Sequence, residues 1–451
     1  MHTRLLLSVL LFPSFSNADD WLRFRGPNGS GIAPDDKPVP VEWSATENLK
    51  WKAELPGPGS SSPIVVGDHV FVTCWSGYAT DGPTSGDITA LKRHLICIDR
   101  ASGKTLWDRA VPAKQPEERF GGMFAQNGYA SHTPVSDGSK VFAFFGKSGV
   151  HAFDLEGKEL WQADVGDWDD RRGWGTASSP ILHGDVLIVP AVVESQALFG
   201  FDKNTGKQLW KAPSEGFAST WGSPVIAKGD NGDELVISVP GEVWSFNPDT
   251  GKLRWYATGL QSDSVCNSVV ADGSTVITMG ERGGGSVAIK TGGKGDVSAT
   301  NTLWTGSNGP RIPTPIVWEG HLYWINGSLA VCRDAKTGAE IYNERIEGGS
   351  GGGETASGAR PGGFGGGGGF GGGRRGGGMG GGDYASPVAA NGHLFQVSRR
   401  GEVIVTKLSP KFELVARNRI EGDTSDHSAT PAISNGQLFL RSAKTLYCIG
   451  E

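Results

Sequence analysis

The stretch Asp202-Lys203-Asn204-Thr205-Gly206-Lys207-Gln208-Leu209-Trp210 decides the fold, because close copies of it recur along the chain. They read DRASGKTLW at Asp99–Trp107, DLEGKELW at Asp154–Trp161, NPDTGKLRW at Asn247–Trp255 and DAKTGAEIY at Asp334–Tyr342. In each copy the last glycine stands four residues before the aromatic. An Asp or Asn at a strand end can bond its own backbone, and glycine supplies the positive φ of a tight turn. The chain then reverses into a strand that carries a large aromatic.

A second signature marks the start of each unit, a hydroxyl residue followed by proline. It stands at Ser62, Thr133, Ser179, Ser223, Thr314, Ser386 and Thr430, with Asn267-Ser268 as a degenerate copy. Successive gaps are 71, 46, 44, 44, 47, 72 and 44 residues, so a unit of 44 is repeated eight times with two long insertions. Each unit reads as four short strands, the second alternating, the third ending in Asp, the fourth bearing the aromatic. This predicts an all-β, eight-bladed propeller of four-stranded blades. The last unit stops at Glu451 without its aromatic strand, whereas Asn48-Leu49-Lys50-Trp51-Lys52 is such a strand standing ahead of the first unit. The N-terminal strand is therefore expected to complete the C-terminal blade and close the ring.

These repeats resemble the PQQ-type propeller repeat, shared by quinoprotein alcohol dehydrogenases and by the propeller scaffold of the outer-membrane β-barrel assembly machinery. The match covers roughly Asn48 to Glu451. The opening Trp21-Leu22-Arg23-Phe24-Arg25-Gly26-Pro27 looks like that of secreted bacterial proteins carrying this repeat. The resemblance implies a ligand- or protein-binding scaffold. Its alternative is a PQQ- and Ca²⁺-dependent alcohol or sugar dehydrogenase, for which it would imply a vicinal Cys–Cys disulfide, a stacking Trp and carboxylate ligands for calcium. The sequence has no adjacent cysteines, so the reading leans away from an enzyme and expects no cofactor.

Residues 1–18 look like a secretory leader: Arg4, then the apolar Leu5–Phe12, then Ser16-Asn17-Ala18 as the cleavage site. The expected address is the periplasm or the medium, as a monomer. Residues 19–47 read as an N-terminal extension and 48–451 as the propeller. Within it, 348–382 hold 22 glycines in 35 residues and are expected to be a disordered insertion. The net charge of −6 argues against nucleic acid as a partner, and outside the leader no run is long enough for a membrane span.

The five cysteines carry no metal motif. Cys97, Cys332 and Cys448 share a column of small residues with Ala152, Gly200, Ser245 and Ala288, which reads as packing. Cys74 and Cys97 lie on adjacent strands, diagonal to one another, which leaves a disulfide open. The aromatic column itself reads as packing blade against blade. Each hydroxyl of the pre-proline ring, with Asn267 as the eighth member, is expected to satisfy a neighbouring backbone group.

Loops that join the second strand to the third, and one blade to the next, emerge on one face and carry the long insertions. That face is the expected site. Its off-repeat residues are the candidates for ligand binding: His132, Trp168, Asp169, Arg171, Arg172, Trp174, Trp221, Arg311, Asp426 and His427. Aromatics and forked donors at a concave mouth suit a protein segment or a small polar organic ligand.

Overall fold

The computed structural model describes residues 20–34, 37–82, 84–120, 124, 128–280, 284–307, 309–347 and 383–451. The leader and the glycine-rich insertion therefore lie outside the described residues. Among the described residues eight sheets stand around a central axis, seven of them with their strands in chain order from the axis outward. In the eighth, Leu49–Glu54 is the outer strand and pairs antiparallel with Thr445–Ile449, so the ring closes as the sequence predicts. One sheet gains a fifth strand: Gly295–Asp296 runs parallel to Leu253–Thr258 on the outer edge of the fourth blade. The Asp230-Asn231 segment is the tip of an ordinary hairpin between Val225–Gly229 and Gly232–Val239.

The recurring hairpin is a lock between neighbouring blades. Trp161, on the outer strand of the second blade, lies over Gly206 in the hairpin of the third, and its Nε1–H donates to the Lys203 carbonyl at 3.0 Å. The same arrangement joins Trp51 to Gly103, Trp107 to Gly157, Trp210 to Gly251 and Trp304 to Gly338. Gly206 is needed twice over: its φ is +71°, and a Cβ there would stand 2.6 Å from the indole. Trp255 departs from the pattern. The fifth blade has the 295–301 insertion in place of the tight hairpin, and Trp255 Nε1–H donates instead to the buried Glu234 carboxylate at 2.7 Å.

The small-residue column has a more local cause than sheet-to-sheet packing alone. Cys97, Ala152, Gly200, Ser245, Ala288, Cys332 and Cys448 are the cross-strand partners of Trp107, Trp161, Trp210, Trp255, Trp304, Tyr342 and Trp51. Directly opposed side chains share one face of the sheet, so a bulky indole requires a small neighbour. The seventh blade reverses the sizes, with Val405 opposite Ala416. Cys74 and Cys97 are free. Cys74 pairs with His94 while Cys97 pairs with Phe71, an offset of three that sends the two thiols to opposite faces of one sheet.

The N-terminal extension is a plug. Trp21 pairs with Val65 of the first blade, and the Leu22 carbonyl accepts from Ser136 N–H of the second. Arg23 donates to the Pro224 carbonyl of the fourth blade at 3.0 Å. Arg25 donates to the carbonyls of Thr314 and Pro315, in the sixth, at 2.6 and 2.7 Å. Gly31 and Ala33 bond Ala389 in the seventh. The segment thus crosses the axis at the end where the short turns lie. Both arginines are buried and bonded to backbone, with their pKa values lowered by burial to about 10 for Arg23 and about 9 for Arg25, which leaves them cationic at neutral pH.

Candidate functional site

Above this plug the axis holds a blind well of about 430 Å³ that opens on the loop-elaborated face. Its walls are two tiers of eight residues set by the repeat. The lower tier is the hydroxyl ring. Ser62 N–H donates to Thr133 Oγ1, Thr133 N–H to Ser179 Oγ, and Ser179 N–H to Ser223 Oγ, at 2.9–3.0 Å. Ser223 N–H donates to Ser268 Oγ, Ser268 N–H to Thr314 Oγ1, Thr314 N–H to Ser386 Oγ and Ser386 N–H to Thr430 Oγ1, each at 2.9 Å. Each link joins one blade to the next, which bears out the expectation that these hydroxyls serve neighbouring backbone. The eighth member is Ser268 and not Asn267. Asn267 is also buried, but its amide donates to the carbonyls of Met279 and Pro310.

The upper tier lies two residues earlier in each blade: Ser60, Ser131, Ala177, Trp221, Cys266, Ile312, Tyr384 and Ser428. Alternate residues of an extended chain face the same way, so the tier was readable by counting back two from each hydroxyl rather than one. Phe24 of the plug forms the floor. At the mouth Trp174 stacks on Phe124 at 5.5 Å and meets Trp221 at 4.8 Å, with the Arg172 guanidinium 5.4 Å from the Trp174 ring centre.

The ten sequence candidates separate by position. Trp174, Trp221 and Arg311 line the well. Arg311 is exposed, and among the described residues its guanidinium has no hydrogen-bond or ion-pair partner. Arg172 stands at the rim, bonded to Ser219 Oγ at 2.8 Å and paired with Asp263 at 3.0 Å. Asp426 forms an ion pair with Arg399, which in turn lies 4.7 Å over the Tyr384 ring of the upper tier. His427 is buried, donates from Nδ1–H to the Ser425 carbonyl, and has its pKa lowered by burial. His132 is buried against Phe144 and Thr176, and burial depresses its pKa to about 3, so it is neutral across the physiological range. Arg171 projects into solvent.

Trp168 and Asp169 belong to a second cluster beside the well. Asp169 pairs with Lys147, and the buried Arg93 pairs with Glu117 at 2.7 Å. Glu118 and Glu194 share this cluster, and burial pushes both carboxyls up to about 7. No sequence signal marks Arg93, Lys147 or Glu194, which reach the cluster from three neighbouring blades.

A family sequence model described as outer membrane protein assembly factor BamB matches residues 73–192 and 146–360, together more than half of the chain. The chain belongs to the BamB family. A curated relative, the outer membrane protein assembly factor BamB of Burkholderia pseudomallei (strain K96243), is 26% identical over 259 residues, covering 53% of this chain and 62% of that protein. Among solved structures, BamB from Moraxella catarrhalis aligns with a TM-score of 0.57 at 10% identity, over 89% of this chain and 99% of that one. A europium-containing methanol dehydrogenase aligns with a TM-score of 0.63 at 11% identity, over 96% and 98%. At these identities the structural likenesses concern the fold. The donors of the well decide whether a hard cation, such as the europium of the second neighbour, would be held there. The well is lined by hydroxyls, aromatics, a thiol, two aliphatic side chains and one guanidinium, without a carboxylate, and among the described residues no group of three His, Cys, Asp or Glu side chains is arranged to hold a metal ion. A divalent cation needs anionic oxygen ligands, and this set does not fit it.

Proposed function

We propose that this BamB-family propeller is an exported scaffold that binds a protein partner through its loop-elaborated face. The observation that carries the reading is the well itself. It opens on that face behind a mouth of flat aromatics and forked donors, which are the side chains that dominate binding energy at interfaces. Family membership supports a protein-binding role, and the leader-like first 18 residues support the envelope as its place. No helix among the described residues is long and apolar enough to cross a membrane.

Affinity capture from envelope extract tests this. The wild-type bait is expected to retain a partner that Trp174→Ala and Arg172→Ala baits lose, while a Lys158→Ala bait, altered in an outer hairpin, retains it. A partner held equally by all four baits would overturn the reading. The dehydrogenase alternative has its own test, equilibrium dialysis with PQQ and Ca²⁺ followed by dye reduction with alcohols or sugars. Stoichiometric retention of the quinone with substrate-dependent dye reduction would establish it over the scaffold.

A further inference from the structure

The well has a chemical bias that follows from where its hydrogen bonds are already committed. A hydroxyl can donate one hydrogen bond and accept two. Seven of the eight ring hydroxyls accept a backbone N–H from the adjacent blade, and none has an acceptor for its own proton among the described residues. Tyr384, in the tier above, likewise has no acceptor for its phenol proton among the described residues. These groups could in principle turn lone pairs toward a cation, so the surrounding charge decides.

That charge is positive. Arg311 brings to the lining a guanidinium that is unpaired among the described residues, and none of the described lining residues is a carboxylate. Three further guanidinia are buried around the ring, two in the plug below it and one beside the wall between the tiers. Arg23 bonds the carbonyl next to Ser223, Arg25 bonds the Thr314 carbonyl of the ring itself, and Arg441 donates to the carbonyl and Oγ of Ser61, next to Ser62. Among the described residues none of the three is paired with a carboxylate, and Arg441 keeps two buried nitrogens without an acceptor. Inside a protein chain of net charge −6, this is a local reversal of sign, and low-dielectric walls concentrate its field at the well.

Shape adds a second restriction. Phe24 closes the floor, so a chain cannot pass through and only an end can enter. The two tiers are about 7 Å apart, the spacing of alternate residues in an extended strand, so the depth suits two to three residues of an extended chain.

We propose that the well binds the carboxylate at the end of a linear chain, inserted end-on, with the ring hydroxyls and Arg311 as its donors and the aromatic mouth around the following residues. The occupant we assign is the free C-terminus of a protein partner, and this clause rests on the scaffold reading; a free linear organic acid presents the same chemistry.

Isothermal titration calorimetry on the mature full chain tests it with three probes: N-acetyl-trialanine with a free carboxylate, the same peptide as its C-terminal amide, and hexanoate. The free-carboxylate peptide is expected to bind saturably, and its amide roughly tenfold more weakly or not at all, the difference a charge-assisted hydrogen bond supplies. Arg311→Ala is expected to reduce carboxylate binding by about tenfold and Arg311→Lys to keep most of it. Arg171→Ala, on a side chain that points away from the well, leaves it unchanged. No saturable binding of either carboxylate up to about 10 mM, equal binding of acid and amide, or an Arg311→Ala variant that binds like wild type would each overturn the proposal. Hexanoate binding as tightly as the peptide supports the carboxylate site while counting against a protein partner. Silent carboxylate probes, together with an envelope partner lost on Trp174→Ala, leave the scaffold standing and refute this site.

Discussion

Replacing Gly206 by alanine tests whether the recurring hairpin is a turn or a lock. As a turn, the substitution costs only the left-handed backbone, about 1–2 kcal/mol for an L-residue at positive φ. As a lock, it also drives a methyl group into Trp161, whose ring atoms would lie 2.6 Å from the new Cβ. The indole cannot easily retreat: its Nε1–H is tied to the Lys203 carbonyl at 3.0 Å and its face packs on Phe142, with ring centres 5.8 Å apart. Overpacking of this kind adds about 1–3 kcal/mol, for a total of about 2–5 kcal/mol. Gly184 is the control, because its φ is +55° and a Cβ there would meet nothing within 4 Å. Gly184→Ala should lose only the backbone part. Urea unfolding followed by far-ultraviolet circular dichroism, run on both variants, reads the difference. Trp161→Leu combined with Gly206→Ala should cost less than the sum of the two single changes, since the clash disappears with the indole. If Gly206→Ala and Gly184→Ala agree within about 0.5 kcal/mol, the indole has no role in the glycine's presence and the lock is refuted.

Removing residues 20–54 should destabilise the whole ring, because the eighth blade loses its outer strand and Trp51 while the floor of the well is lost; a melting temperature within a degree or two of the parent's would contradict the closure and the plug together. Glu194→Gln should stabilise the protein at pH 8 and leave it nearly unchanged at pH 5. Its folded carboxyl sits at about 7, raised mainly by burial, so the folded state holds a proton that the unfolded state releases near 4.5, and stability falls as pH rises between those values, by on the order of 3 kcal/mol at most. Melting curves of both proteins across that window check the sign, and a wild type that gains stability from pH 5 to 8 relative to the variant would refute it. Mass spectrometry of the exported protein should find Asp19 as the first residue; envelope protein that still begins at Met1 would sink the leader reading.

The fold was legible because its causes are local and repeated. A turn glycine, an Asp at a strand end and a tryptophan four residues on recur often enough to count blades and to notice that the last one lacks a strand. What the repeat conceals is which blade each side chain serves: Gly206 and Trp210 look like partners in sequence, yet Gly206 makes room for Trp161 of the preceding blade and Trp210 covers Gly251 of the next. The face on which the well opens was legible from loop lengths, and Trp174, Trp221 and Arg311 are the candidates that line it. His132 stands one residue before Thr133 and His427 one before Ser428, both in the lining of the well, and in an extended chain that offset turns the histidines away from the axis. The plug was not legible at all. Residues 20–34 have no periodicity, and their partners are backbone carbonyls of distant blades. Arg25, for example, meets Thr314 at a separation of 289 residues.

The antiparallel pairing of Leu49–Glu54 with Thr445–Ile449 has a mechanical consequence. Leu49 lies opposite Ile449, so both chain ends leave the seam from the same side, and tension between them would peel its hydrogen bonds one after another instead of shearing them all at once. An anchored or towed propeller with this seam alone would open like a zip. Here the tow line passes first through the segment from Trp21 to Ala33, wedged across the axis and fastened to five different blades. Force applied at the N-terminus is therefore spread over the hub before it reaches the rim, and the weakest joint of the ring is the last to feel it.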